Sequence, residues 1–446
     1  MRKDWAECHL DDLSKIIGDG LHGTPKYNEI GEYYFINGNN FNDGQILIKP
    51  ETKKVDYTQF IKYSKPLSNQ TVFLSINGTI GNTAFYNNEN IILGKSACYI
   101  NLMPQIDKKF IRYKLKSQHF LKYALQNATG STIKNVGLKT IREYKLWISS
   151  IPEQRAIVKK IETLFSSLDA GIADLKKSQE QLKIYRQAIL KKAFEGELIN
   201  TKFNNLVPIG EIVSLNPKID KTKVFDELEC QFVPMKLVEE KVNKINLTDT
   251  KKYKDLQNKS YTYFSNNDII FAKVTPCMEN GKIAVAKDLL NEVAFGSSEF
   301  HVLRSSSKIL SEFLFYFIVQ DKFRNEAEQN MTGAVGLRRV PKKFIEDYII
   351  PLPTIEQQQQ TVKEIESRLS VCNAVEKQIK NSLGQAENLR QSILKKAFEG
   401  SLLNEKELKA CKAQPDYEPA SVLLERIKAK KEAHKPVKKI SKKKVS

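Results

Sequence analysis

The chain is poor in the residues from which catalytic and metal sites are most often built. Its 446 residues include six cysteines, five histidines, five methionines and two tryptophans. The cysteines, at 8, 98, 230, 277, 372 and 411, never fall at C-x-x-C spacing. Neither a zinc site nor a disulfide framework is expected, and scattered thiols suit a reducing compartment. The histidines, at 9, 22, 119, 301 and 434, are isolated, and no H-E-x-x-H, G-x-S-x-G or phosphate-loop motif occurs. An amino-methyltransferase would carry an Asn/Asp-Pro-Pro-aromatic tetrapeptide; the nearest stretch, LNPK at Leu215 to Lys218, lacks it. GDGLHG at Gly18 to Gly23 lacks the spacing of a dinucleotide fingerprint. Asp43 ahead of Glu51 and Lys53 has a nuclease-like spacing, but a chain this rich in Lys and Glu produces such triplets by chance. No catalytic residue, metal site or cofactor of its own is expected. Long apolar runs are absent too: nothing approaches the roughly 18 residues of a membrane span. The first residues, MRKDWAECHLDDL, do not read as a signal peptide. A soluble cytoplasmic protein with no membrane partner is expected.

Positive charge is what the chain has in excess. Lys and Arg outnumber Asp and Glu by 71 to 52, a formal net charge of +19. Glu425 to Ser446 alone hold ten Lys/Arg against two Glu, so +8 is local and +11 is spread over the rest. Such a balance favours a polyanionic partner.

The chain also repeats itself. RQAILKKAFEG at Arg186 to Gly196 returns as RQSILKKAFEG at Arg390 to Gly400, with ten of eleven positions identical. From Val158 to Gly196, against Val362 to Gly400, 19 of 39 positions match. Upstream, Phe110 and Phe120 match Phe313 and Phe323, and NATG (Asn127 to Gly130) matches NMTG (Asn330 to Gly333). The offset changes from 204 to 203, and a one-residue slip in Gln357 to Gln360 accounts for it. The chain therefore reads as two diverged copies of one unit of about 200 residues.

Each copy opens with short β-like runs such as TVFLSI and DIIFAKV, broken by Asn, Gly, Asp and Pro, with a helix late in the segment. A long helix follows. Ile161, Leu164, Leu168, Leu175, Leu182, Tyr185 and Ile189 form a heptad-like seam, matched by Ile365, Cys372, Val375, Ile379, Leu389 and Ile393. Gly171, Ser178, Ser382 and Ala386 are read onto the same seam. A narrow apolar stripe needs a second helix, and the sister helix is the nearest one. The expected fold is α+β: two α+β domains (1–150 and 205–350), two repeated helices (151–200 and 351–404) pairing as an antiparallel coiled coil with internal pseudo-two-fold symmetry, and a C-terminal helix and basic tail (405–446). Lys191, Lys192, Phe194 and Glu195 recur as Lys395, Lys396, Phe398 and Glu399, although the seam does not need them. Their repetition suggests one kind of partner bound at two places.

Two variable domains alternating with repeated helices that begin after SSIPEQRAIV and PLPTIEQQQQTV and end ILKKAFEG resemble the specificity subunit of type I restriction–modification systems. EPASVLLERIKAKKEA (Glu418 to Ala433) is similar to that family's C-terminal helix. The resemblance implies target-recognition domains that each read one half of a split double-stranded DNA target. It also implies helices that hold those domains apart and dock two methyltransferase subunits. Methylation and ATP-driven restriction, with S-adenosylmethionine, ATP and Mg²⁺, would belong to other subunits. A helix of about 40 residues spans roughly 60 Å, enough to separate two readers by one to two DNA turns. On this reading the polar loops TGSTIKNVGLK and TGAVGLRRVPKK supply DNA contacts through Lys134, Lys139, Arg338 and Arg339, with His22, Thr24 and Lys26 in a further turn-rich segment. The competing readings are the specificity subunit of a related methyltransferase/nuclease system, a catalytic nuclease or methyltransferase subunit, and a coiled-coil scaffold that does not bind DNA.

Overall fold

The computed structural model describes residues 2–334 and 336–433. The lysine-rich tail beyond Ala433 lies outside the described residues. The chain divides into two compact units, residues 1–174 with 382–446, and Leu175–Asn381. The division cuts each long helix in two, so each unit contains one β-rich domain and half of both helices.

In the first unit Ala6–His9 pairs antiparallel with Lys145–Ile148. A four-stranded antiparallel sheet runs in the order Ser14–Asp19, Ala97–Leu102, Thr71–Ser75, Thr83–Phe85. A smaller sheet, Lys54–Val55, Tyr33–Ile36, Ile91–Leu93, contains one parallel pair. Its helices are α1 (Tyr57–Tyr63), α2 (Lys108–Lys116), α3 (Gln118–Gln126), α4 (Leu138–Arg142) and the first part of α5 (Ile151–Phe194). The second unit repeats this plan. Leu206–Pro208 pairs with Ile349–Pro351, and Val213–Leu215, Phe300–Ser305, Ile269–Ala272 and Ile283–Val285 form the matching sheet. The parallel pair is now Glu229–Val233 with Val293–Gly296. The helices α6 (Ser311–Ile318), α7 (Asp321–Gln329), α8 (Lys342–Asp347) and the first part of α9 (Ile355–Glu399) follow in the same order. The central strands are buried along their whole length, which is why they read as continuous apolar runs instead of alternating ones.

The single late helix expected in each domain is two. Ser117 ends α2 by donating its N–H to the Lys114 carbonyl, and its hydroxyl caps the start of α3. Apolar periodicity runs through the break because both helices bury the same side, in Phe110, Ile111 and Leu115, then Phe120 and Ala124.

Within each unit α5 and α9 pair antiparallel, early residues of one against late residues of the other. Ile161 and Phe165 share a core with Ile393 and Ala397 in the first unit. Leu190 and Ala193 share one with Ile365 in the second. The seam differs from the expected one at its edges. Tyr185, Val375 and Leu389 are exposed, and so are Gly171 and Ser178. Arginines take over that edge. Arg390 pairs with Asp169, and Arg186 donates to Asn373 (2.7 Å) and Glu376 (2.8 Å). Asp169 and Asn373 are themselves 204 apart, so one cross-helix contact is made twice.

The Pro/Glu-Gln stretch before each helix also has a mechanical reason. Gln154 is fully buried; its amide donates to the Ser149 carbonyl (2.8 Å) and accepts from the Asp107 N–H (3.2 Å). Gln358, also fully buried, donates to the Pro353 carbonyl (2.9 Å) and accepts from the Leu310 N–H (2.8 Å). The true partner of Gln154 is therefore Gln358, an offset of 204, and Gln357 to Gln360 contain no slip. The extra residue lies further upstream. Thr129 and Thr332 still correspond at 203, whereas Asn135 and Arg339, which bridge to them, correspond at 204. A surface loop absorbs an insertion that a buried glutamine cap cannot.

Two further helices close the first unit alone. α10 (Glu405–Lys412) starts with an Asn404/Glu407 capping box, and α11 (Ala420–Ala433) follows, as expected for Glu418 to Ala433. Cys411, Leu423, Leu424 and Ile427 join that unit's core. Ion pairs from Lys160 to Glu407 (2.7 Å), Arg155 to Asp416 (2.8 Å) and Lys431 to Asp11 (2.7 Å) surround them.

Candidate nucleic-acid interface

At one end of each domain two loops are stitched together by the same backbone bonds. In the first unit Val136 N–H donates to the Ile76 carbonyl (2.8 Å), and Gly78 N–H to the Lys134 carbonyl (3.1 Å). Asn135 bridges both Asn77 and Thr129. In the second unit Val340 N–H donates to the Lys273 carbonyl (2.8 Å), Thr275 N–H to the Arg338 carbonyl (3.1 Å), and Arg339 bridges both Val274 and Thr332. A third segment joins each pair. Ile76 N–H donates to the Ser96 carbonyl (3.0 Å), and Lys273 N–H to the Glu299 carbonyl (2.9 Å). The glycine of NATG and NMTG is required here. Gly130 and Gly333 lie at φ +91 and +121, and a Cβ on Gly130 would stand 2.3 Å from the Ile133 carbonyl oxygen.

The expected contact residues lie on or near this end. Lys134 is exposed on its loop. Lys139 is 84% exposed, with only Glu143 at 3.7 Å beside it in α4. Arg338 has Glu328 at 3.7 Å and is half-exposed. Arg339 is engaged: its Nε and Nη2 donate to the two carboxylate oxygens of Glu299 at 2.9 and 2.7 Å. That bidentate contact holds Glu299 below the usual carboxylate range. His22, Thr24 and Lys26 are exposed on a separate segment, with His22 Nε2 2.6 Å from Asp19. This segment reaches the same end through the turn at Gly94, which Leu21 bridges and whose Ser96 meets Ile76. Asn77, Lys95 and Asn135 in the first unit and Glu299 in the second also lie at this end, and sequence reading does not single them out. Only the folded chain brings residues 77 and 135 together.

The repeated phrase at the helix ends divides into buried and exposed parts. Phe398 is 3% exposed, with its ring 5.2 Å edge-on to Phe110. Phe194 lies 4.9 and 5.1 Å from Phe313 and Phe317. Both aromatics were expected to face a partner; both are packing residues of their own unit. Gln187 and Gln391 accept the first N–H of α7 and of the equivalent α3 (3.0 and 3.2 Å). What the phrase leaves outside is Lys191, Lys192 and Glu195, and likewise Lys395, Lys396 and Glu399, joined by loose pairs at 3.8 Å (Lys191–Glu195) and 4.0 Å (Lys395–Glu399).

Asp43, the acid of the nuclease-like spacing, is gripped by Arg112 and Lys116 at 2.5 Å each. Among the described residues no group of three or more His, Cys, Asp or Glu is arranged to hold a metal ion. No helix there is long and apolar enough to cross a membrane.

The family model described as the type I restriction modification DNA specificity domain matches the chain twice, over residues 2–180 and 203–385. The chain belongs to that family. It is 25% identical over 382 residues to the EcoBI specificity subunit of Escherichia coli, covering 79% of this chain and 78% of that one. Against the EcoAI specificity subunit of the same species, identity is 36% over 187 residues, 42% of this chain and only 31% of that relative. Two solved structures share the fold. A chain from a study of assembly and conformational transition in the type I R-M system superposes with a TM-score of 0.67 at 15% identity, covering 90% of this chain and 99% of that one. The HsdS subunit from Thermoanaerobacter tengcongensis gives 0.57 at 15%, covering 90% and 98%. The two matches of the family domain coincide with the two copies of the loop framework.

Proposed function

We propose that this chain is the DNA-reading subunit of a type I restriction–modification complex, and that each unit reads one half of a split double-stranded target. One observation carries the reading: a single backbone framework occurs twice and presents different side chains at its loop tips. A repeated scaffold with diverged tips suits two half-sites of different sequence. The net charge of +19 suits a polyanion, with phosphate contacts from Lys134 and Lys139 fixing position and Arg338 placed to read a base. The helix pair sets the gap between half-sites and docks two methyltransferase subunits through Lys191, Lys192 and Glu195 and through Lys395, Lys396 and Glu399. The chain is non-catalytic and carries no cofactor. S-adenosylmethionine, ATP and Mg²⁺ belong to the methyltransferase and the ATP-dependent restriction subunits, and the complex works in the cytoplasm.

Methylome sequencing of a host carrying this chain and its methyltransferase tests the reading. The expected pattern is one split motif. Arg338→Ala relaxes or weakens recognition in one half only, and binding falls steeply with salt. Methylation without a split motif, or equal damage to both halves, refutes it.

Adding seven residues to both long helices tests the ruler separately. The insertion keeps the apolar seam in phase and lengthens each helix by about 10 Å. The preferred gap should grow by about three base pairs, at about 3.4 Å each, with both half-sites unchanged. An unchanged gap in an active variant means the helices join the units without measuring the distance.

A further inference from the structure

The bridge position of the loop framework carries different chemistry in the two units. In the first, Asn77 Nδ2 donates to Asn135 Oδ1 at 3.1 Å. That leaves Asn77 Oδ1 and Asn135 Nδ2 without a partner among the described residues, and both side chains are part-exposed. One free acceptor therefore sits beside one free donor. Exchanging oxygen and nitrogen in both amides leaves the same result. Lys95 and Lys134 stand exposed on the segments that flank the pair. In the second unit the equivalent residue is Arg339. Glu299 takes its Nε and one Nη2 hydrogen, and the Leu337 carbonyl takes one Nη1 hydrogen at 3.3 Å. One N–H remains on each terminal nitrogen, in a guanidinium already fixed in orientation by its carboxylate.

These edges match two different bases. The major-groove edge of adenine offers an acceptor, N7, beside a donor, the N6 amine; guanine offers two acceptors, N7 and O6. An acceptor–donor amide pair complements the first, and two guanidinium N–H groups complement the second. We propose that this bridge position reads one base pair in each half-site: Asn77 with Asn135 selects adenine, and Arg339, held by Glu299, selects guanine. The inference rests on the reading that each unit recognises one half-site. Asn77, Asn135 and Arg339 would be direct contacts, and Glu299 a positioning residue.

The complex of this chain with its methyltransferase should be tested on duplexes carrying every base at each target position. In the wild type, one position of the half-site read by the first unit should demand adenine, by about tenfold or more over other bases. Asn77→Ala should remove that demand and leave the other half unchanged. Asn135→Asp keeps the shape but replaces the donor with an acceptor, so preference should move from adenine to cytosine, whose N4 amine is a donor. 7-Deazaadenine at the position should weaken the wild type and not the Asn77→Ala variant. Arg339→Ala should relax a guanine in the other half. Glu299→Gln should weaken that same guanine preference less, without changing any other position. Folded variants whose base preferences match the wild type at every position overturn the inference while leaving the two-half-site reading intact. A uniform loss at all positions overturns it as well, because it marks a phosphate or structural role. A wild type with no split target overturns the underlying reading instead.

Discussion

Phe398→Ala is expected to destabilise the first unit by about 3–5 kcal/mol, the usual cost of emptying a buried aromatic site. The ring is 3% exposed, sits edge-on to Phe110 and lies under the ammonium of Lys114. Phe194→Ala should cost the second unit somewhat less, because that ring is only half-buried between Phe313 and Phe317. Substituting Lys395 or Lys396 by Ala should change stability by no more than about 0.5 kcal/mol. If these residues dock a methyltransferase, the same two substitutions weaken that complex. Chemical denaturation of each variant, paired with native mass spectrometry of the co-expressed complex, separates the two roles. A stable Phe398→Ala chain that has lost its methyltransferase would restore the aromatic to the docking surface.

Lys114→Met should stabilise the first unit at neutral pH by up to about 3 kcal/mol. Lys114 is 2% exposed, and its nitrogen lies 5.0 Å from the centre of the Phe398 ring. Burial pushes its pKa down from 10.5 to about 8, with only Glu399 acting against the shift. In this situation the unfolded chain binds the proton more tightly than the folded one. The penalty is full below about pH 8 and is relieved as pH rises toward 10.5. Wild-type stability should therefore contain a component that rises across that window, and Lys114→Met should lack it. The second unit offers an internal control, since the corresponding residue is Phe317, packed on Phe194. Thermal unfolding at pH 7, 9 and 10.5 measures the difference, as pH values chosen about the shift. A variant no more stable than wild type at pH 7, with the alkaline rise intact, would mean that Lys114 stays charged at little cost.

Much of the fold was legible because the chain is written twice. Apolar runs such as TVFLSI and DIIFAKV became central strands, and the repeated amphipathic segments became α5 and α9. The repeated phrase itself was legible as important but not as to why. Its Arg reaches the sister helix, its Gln caps a neighbouring helix, its Phe fills the core beside it, and its Lys and Glu remain outside. Identity between copies records a shared environment without saying whether that environment is solvent, a partner or the chain's own interior.

Composition, period and repeat length by themselves determined an α+β chain of two like units with two long amphipathic helices and a strong positive charge. These are properties of local spacing, and local spacing fixes which face of an element is apolar. Tertiary structure alone decided the rest. It cut the domains across the helices, put Tyr185 and Leu389 outside the seam, and moved the slip to the loop before Arg339. It also brought Asn77 to Asn135 and Glu299 to Arg339. Each of those pairings joins residues at least 40 positions apart. Hydrophobic periodicity carries no information about which two polar loop tips meet, because that depends on how the strands beneath them are ordered.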